Sequence, residues 1–319
     1  FKKVIIADSM ALYSSPVFAA ADAGIMLTFF EAWFGSLAYT FQLYFDFSGY
    51  SDMAIGLARM FGIILPVNFY SPYKSTSIID FWRSWHITLS RFLKYYVYIP
   101  IGGNKNGKVR RYSNLMITMI IGGIWHGAGW TFLLWGALHG FYLVINHLWR
   151  IVFIRNVKTK IGSIISWTIT FLAIVFAWVP FRASDLQSSK AIFDAMIGVN
   201  GFLLPESYLS LLNKLSGFGD FLVSIGLKFG VPEFFEGINQ IIFILISLLI
   251  VLLMPNVNQF MSKDIHNKNN EQKDVKIKNY GLSFLIWRPS LFYSIITALI
   301  FTVAVFGMSE NSEFLYFQF

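Results

Sequence analysis

Four predominantly apolar stretches, residues 25–45, 162–181, 238–254 and 290–307, constrain this chain more than any motif in it. Each is close to the about 20 mostly apolar residues that a membrane-spanning helix needs. Only 13% of the 319 residues are charged, against about 25% in soluble domains. Further apolar stretches lie at 4–20, 53–67, 86–101 and 114–149, several of them interrupted by Gly or Pro. Irregular backbone survives at membrane depth only where protein or a cavity satisfies it. The expected fold is an all-α, polytopic transmembrane helical bundle with short and re-entrant helices, one membrane domain over residues 1–319. The chain opens at Phe1 with Lys2 and Lys3 and no signal peptide, so further spans are expected before it.

The net charge of +8 does not point to nucleic acid, because the cations sit in short loops beside apolar runs. That is the positive-inside pattern. Trp and Tyr are expected at headgroup level and Phe in helix interiors. The absence of Cys excludes disulfides and thiolate metal sites. Lys105, Lys108, Arg110 and Arg111 form one basic loop, and Arg150, Arg155, Lys158 and Lys160 another; both are expected on the cytoplasmic side. Residues 114–149 between them would make a straight helix of about 54 Å, too long for a hydrocarbon core of about 30 Å. The expectation is an up-and-back hairpin, with Gly122, Gly123, Gly127 and Gly129 permitting the reversal and close helix approach. His126 then lies at its deep end. Segment 162–181 crosses outward, 182–236 forms an extracytoplasmic amphipathic layer, and 238–254 returns. Residues 262–279, with five Lys, read as a cytoplasmic loop. Segment 290–307 crosses out again, leaving Glu310 and Glu313 outside.

Ionisable residues inside apolar segments are costly and mark candidate sites. In 44–56, Asp46 and Asp52 flank Gly49, which would let the chain bend. The pair reads either as a polar cavity wall or as a re-entrant turn with Asp52 capping the next helix. Ser77 and Asp80 form a capping-box pattern, so a helix is expected to start there. Trp82, His86 and Ser90 would share one face of that helix, with Arg83, Arg91 and Lys94 nearby. It is either a substrate-binding element with His86 in the path or a surface helix with snorkelling cations. His126, between Trp125 and Gly127, is either a packed core histidine or a general base, since an uncharged imidazole can take a hydroxyl proton. His139 is a further candidate to line the same cavity, and His147 belongs near the cytoplasmic surface. No metal site is expected, because no metal-ligand spacing occurs in the apolar segments.

The segments "YFDFSGYSDMAIGLARMFGI", "DFWRSWHITLSRFLKYYVYIPIGGNKNG", "GGIWHGAGWTFLLWGALHG" and "WVPFRA", with the opening "FKKVIIAD" and the closing "FLYFQF", resemble the membrane-bound O-acyltransferase (MBOAT) superfamily in its alginate O-acetyltransferase (AlgI-like) branch. The resemblance covers essentially the whole chain. It implies a bundle around a central funnel in a multi-pass protein of the cell membrane. It makes His126 the essential histidine and His86 the second signature histidine, with Asp46, Ser48, Trp82, Arg83, Ser90 and Trp125 expected to contact substrate. No bound cofactor is implied. Acetyl-CoA or another acyl-CoA would be the donor. The acceptor would be an exported polysaccharide or an extracytoplasmic SGNH-type acetyltransferase docking on 182–236. D-alanyl transfer toward teichoic acid and a non-catalytic channel or scaffold are the alternatives.

Overall fold

The computed structural model describes residues 1–152, 159–214, 217–261 and 286–308. A π-helical turn (Lys2–Ala7) runs into α1 (Asp8–Asp22), and a short link leads to α2 (Phe29–Met60). Thr28 and Glu31 form a capping box that starts α2. At 32 residues α2 is about 48 Å long. It continues straight through Gly49, so 25–45 and 53–67 are not separate segments, and Asp52 caps nothing. Nothing in this sequence stops the helix: glycine alone weakens a helix by about 1 kcal/mol, and packing overrides that. Gly49 serves a close approach instead. A Cβ there would lie 3.3 Å from the Lys3 backbone nitrogen, and the Asp52 carboxylate pairs with Lys2 at 2.8 Å.

The irregular link after α2 leads to α3 (Ile78–Trp82) and α4 (Ile87–Phe92), followed by a π-helical turn (Leu93–Tyr98). Ser77 caps α3 as expected, accepting from the Asp80 N–H. The expected continuous helix does not follow. His86 adopts φ 40°, ψ 57°, a left-handed conformation that breaks the element, so Trp82, His86 and Ser90 do not share a helix face.

α5 (Gly107–His126) and α6 (Trp130–Val152) form the expected hairpin, with His126 the last residue of its first arm. The two arms touch backbone to backbone. A Cβ at Gly123 would collide with the Phe132 carbonyl, and one at Gly136 with the Met119 carbonyl; one at Gly140 would sit 2.8 Å from Met116 Sδ. Small residues at such positions let membrane helices approach closely. α7 (Lys160–Arg182) follows, with Thr159 accepting from the Gly162 N–H at its start.

Residues 183–236 form α8 (Leu186–Met196), α9 (Glu206–Asn213), α10 (Phe218–Ser224) and two short strands, β1 (Phe202–Pro205) and β2 (Leu227–Gly230), paired in parallel. The fold is therefore mostly helical but not strictly all-α. Four-residue strands carry too little pattern to be seen in a sequence. Asp185 caps α8, and the Ser188 N–H it accepts at 2.7 Å holds its carboxyl below the ordinary range. The Glu31 carboxylate accepts the N–H groups of Glu233 and Phe234, tying this layer to the start of α2. α11 (Ile238–Leu253), the short α12 (Val257–Phe260) and α13 (Leu291–Gly307) complete the described chain. Arg155, Lys158, the loop 262–279, Glu310, Glu313 and the closing motif lie outside the described residues.

Among the described residues, two helical segments are long and apolar enough to cross a membrane, Lys2–Asp22 and Lys160–Arg182; Ile238–Leu253 and Leu291–Gly307 are apolar but shorter. Their outward faces carry exposed apolar side chains, such as Ile164, Ile165 and Ile169 on α7 and Phe292, Phe301 and Phe306 on α13. Contiguous apolar surface on this scale needs an apolar solvent or partner. The interior is built from aromatics: Trp135, Trp178, Tyr39, Tyr73 and Phe81 are all fully buried, where Trp and Tyr were expected at headgroup level. Hydrogen bonds hold Trp178 and Tyr73 in place. Trp178 Nε1 donates to Tyr73 Oη at 3.1 Å, and Tyr73 Oη donates to the Thr40 carbonyl at 2.8 Å.

The α5–α6 contact yields a measurable expectation. Gly123→Ala should destabilise the protein by about 1–3 kcal/mol, the usual cost of overpacking. The readout is the thermal midpoint of purified protein in detergent, with Gly129→Ala as the control. A Cβ at 129 meets nothing closer than 3.5 Å.

Candidate active site

Five parts of the chain converge on one cavity of about 230 Å³. α2 supplies Leu43, Asp46 and Phe47, the α3–α4 link supplies Trp85 and His86, and the end of α5 supplies Trp125 and His126. Trp135 of α6 and Trp178 and Phe181 of α7 close it. His86 and His126, forty residues apart in sequence, thus face one space. The hairpin delivers His126 by ending α5 there. Its half-buried ring packs edge-on against Trp135 at 5.2 Å and Phe181 at 5.0 Å. Trp125 lies between the two histidines, 4.9 Å from His126 and 6.4 Å from His86.

His86 reaches the cavity because its left-handed backbone turns the chain between α3 and α4. Non-glycine residues seldom adopt that region. Here the neighbouring strand of chain holds it, with Asn68 O accepting from Ile87 N at 3.0 Å and Tyr70 N donating to Ser84 O at 2.9 Å. Phe47 packs edge-on to the His86 ring at 4.9 Å.

Asp46 is the acidic residue of the cavity wall. It is buried, and its Oδ1 lies 3.2 Å from Lys3 Nζ, which also donates to Asp8 at 2.7 Å. A carboxylate at such depth is retained only if paired. Asp46 thus lines the cavity, and α2 runs on without the turn that the other reading of 44–56 required.

Five other sequence-selected residues stand elsewhere. Ser48 is buried but does not line the cavity. Trp82 stands behind the wall, its Nε1 donating to His139 Nδ1 at 3.3 Å. His139 is fully buried there, edge-on to Trp135 and stacked on Phe81, and does not line the cavity. Arg83 is exposed and 3.5 Å from Asp80, and Ser90 donates to the Trp85 carbonyl.

At the far end of the hairpin from His126, Arg111 Nη2 lies 3.1 Å from His147 Nδ1, and Arg150 donates to Ser77 Oγ at 3.2 Å. Arg83, Arg111 and Arg150 all act electrostatically on His147. Of the carboxylates, Asp80 joins this group. It is a positively charged cluster at the end where the basic loops begin. Among the described residues, no three His, Asp or Glu side chains group as metal ligands would.

Reasoning from the sequence missed Leu43, Phe47, Trp85, Trp135, Trp178 and Phe181 as lining, and Asn68 altogether. Trp178 and Phe181 sit in the "WVPFRA" motif, so that recurrence was their signal. Asn68 had none.

A model described as "MBOAT, membrane-bound O-acyltransferase family" matches residues 6–182. The peptidoglycan O-acetyltransferase of Helicobacter pylori is 46% identical over 234 residues, covering 73% of this chain and 44% of that protein. The probable alginate O-acetylase AlgI of Azotobacter vinelandii is 38% identical over 331 residues, covering 100% of this chain and 60% of that protein. The teichoic acid D-alanyltransferase of Streptococcus thermophilus is 37% identical over 128 residues, covering 38% of this chain and 30% of that protein. The chain spans about half the length of the first two.

The ion pair in the cavity wall can be tested. Lys3→Met removes the cation that Asp46 and Asp8 share and should cost about 3–5 kcal/mol, as breaking buried pairs does. Lys3→Met with Asp46→Leu should recover part of that in the same melting measurement. Equal losses in the single and double variants would mean the pair does not hold the wall.

Proposed function

This chain belongs to the membrane-bound O-acyltransferase family, and we propose that it moves an acetyl group from a thioester donor to a hydroxyl acceptor destined for the cell surface. The observation that carries the proposal is the meeting of His126 and His86 on one cavity, walled by aromatics and one paired carboxylate. In this reading the protein is multi-pass, residing in the cell membrane, and the cavity belongs to a funnel that joins the two faces.

His126 acts as general base. It takes the hydroxyl proton as that oxygen attacks the thioester carbonyl carbon. The tetrahedral intermediate collapses with cleavage of the carbon–sulfur bond. The leaving thiolate recovers the proton from the imidazolium, so an ester and a free thiol result and the histidine is unchanged. A donor of the acetyl-CoA type suits the cluster of Arg83, Arg111 and Arg150, which would attract its phosphates. The alternating Trp and Phe walls exclude water, which otherwise competes with the hydroxyl for the acyl group.

The acceptor is an exported polysaccharide or an SGNH-type acetyltransferase that passes the group on, and the layer of α8–α10 is the surface where such a partner docks. Two relatives named for O-acetylation, of peptidoglycan and of alginate, support acetyl as the group. The D-alanyltransferase relative keeps a carrier-borne D-alanine as the rival donor.

The test uses the full chain reconstituted in lipid, with thiol release from acetyl-CoA and from a D-alanyl carrier measured side by side. Acetyl-CoA turnover should exceed D-alanyl turnover, and His126→Ala should lower it at least about a hundredfold without loss of inserted protein. Unchanged polysaccharide acetylation in cells carrying His126→Ala would make the chain a channel or scaffold instead.

A further inference from the structure

One amide decides what His86 can do. Asn68 Oδ1 is 3.2 Å from His86 Nδ1, 3.2 Å from the Thr88 backbone nitrogen and 2.9 Å from Thr88 Oγ1. Asn side chains can ordinarily be drawn either way round, because O and N look alike. Here the choice is forced. A backbone N–H only donates, so the Asn68 atom facing Thr88 N is the oxygen. That same oxygen lies 3.2 Å from His86 Nδ1. The Thr88 hydroxyl, 3.4 Å from Nδ1, is the shorter 2.9 Å from the amide oxygen and donates there, so Nδ1 carries the hydrogen and donates it. In a neutral imidazole the other nitrogen, Nε2, is left with the lone pair.

We infer that Asn68 is a positioning residue that fixes His86 as the Nδ1–H tautomer, so that His86 offers the cavity an acceptor at Nε2. Nδ1 is committed to Asn68, which does not line the cavity, while His86 does. The left-handed backbone at 86 brings Thr88 N and the imidazole onto one amide oxygen, which ties the strained turn to the choice of tautomer. The group His86 receives is therefore an N–H or O–H of the bound donor or acceptor. It does not donate to the oxyanion of the tetrahedral intermediate, a task that falls to another donor. This consequence for catalysis rests on the acyl-transfer reading; the tautomer does not.

Two experiments test it. The chain has five histidines, so ¹⁵N-histidine-labelled protein in lipid bilayers is tractable by solid-state NMR. His86 signals are identified by their loss in His86→Gly, a replacement that accepts positive φ without strain. The wild type should show His86 protonated at Nδ1 and not at Nε2. Asn68→Asp, whose carboxylate can only accept, should keep that pattern, and Asn68→Ala should turn it to a mixture or to Nε2–H. A wild-type His86 protonated at Nε2, or a tautomer that Asn68→Ala leaves unchanged, overturns the inference. Should Asn68→Ala fail to insert, Asn68→Asp decides: an altered tautomer there means the amide faces His86 the other way round.

The second experiment is a cycle of kcat/KM for acetyl-CoA. Asn68→Ala should lower it about tenfold, the value of one hydrogen bond of about 1.4 kcal/mol. Asn68→Asp should stay near wild type, and Asn68→Ala should cause no further loss in the His86→Gly background. Equal loss in both backgrounds makes Asn68 a merely structural residue and overturns its role. A wild type that turns over no acetyl-CoA overturns the donor reading, while the NMR result still decides the tautomer.

Discussion

Everything at the cavity depends on two helices being able to touch without side chains between them. Gly123 faces the Phe132 carbonyl, Gly136 faces the Met119 carbonyl and Gly140 faces Met116. In lipid no hydrophobic force drives helices together, so association relies on packing at short range. That close seam lets Trp135 on one arm and His126 on the other reach the same space. It also fixes the angle at which they meet Trp178 and Phe181 of α7. Widening the seam by a methyl group would move His126 relative to a wall that comes from a different part of the chain.

The wall itself shows what burying aromatics requires in this protein. An indole or phenol buried without a partner costs free energy. Tyr73 answers this for three aromatic side chains at once: its hydroxyl joins Trp178 of α7 to the Thr40 carbonyl of α2, and its carbonyl accepts from Trp167 Nε1 of α7 at 2.8 Å. The irregular segment between α2 and α3 is thereby pinned under the core. Asn68 lies in that same segment, five residues before Tyr73, so the group that orients His86 is anchored by the packing of the bundle.

Much of this was legible from local pattern. The hairpin followed from helix length, from basic residues at both ends and from clustered glycines. The start of α3 followed from Ser77 and Asp80, and the span of α7 from apolar length alone. Asp46 and His126 stood out because ionisable groups are rare in such surroundings. What failed had non-local causes. Gly49 looked like a bend because its contact, the backbone at Lys3, is more than forty residues away. His86 looked helical because nothing in "WRSWHITLS" announces a left-handed residue; the conformation is imposed by hydrogen bonds from 68–70. Trp135, Trp178, Tyr39 and Tyr73 are buried rather than exposed like Trp130, Trp149 and Tyr96, and composition cannot tell the two groups apart. Asn68 was invisible for the same reason.

The hairpin also bears on how the protein is made. Between Tyr112 and Trp149 there is no Asp, Glu, Lys or Arg, and both polar ends of the pair lie together. Placing a formal charge at the centre of a bilayer costs about 2.5–3.5 kcal/mol by insertion scales. The element that carries His126 can therefore slip in from one side as a folded pair, hauling only a three-residue turn and no charge. α7, by contrast, carries Lys160 and Arg182 at its two ends. His126 thus rides on a hairpin whose interior brings no formal charge into the bilayer.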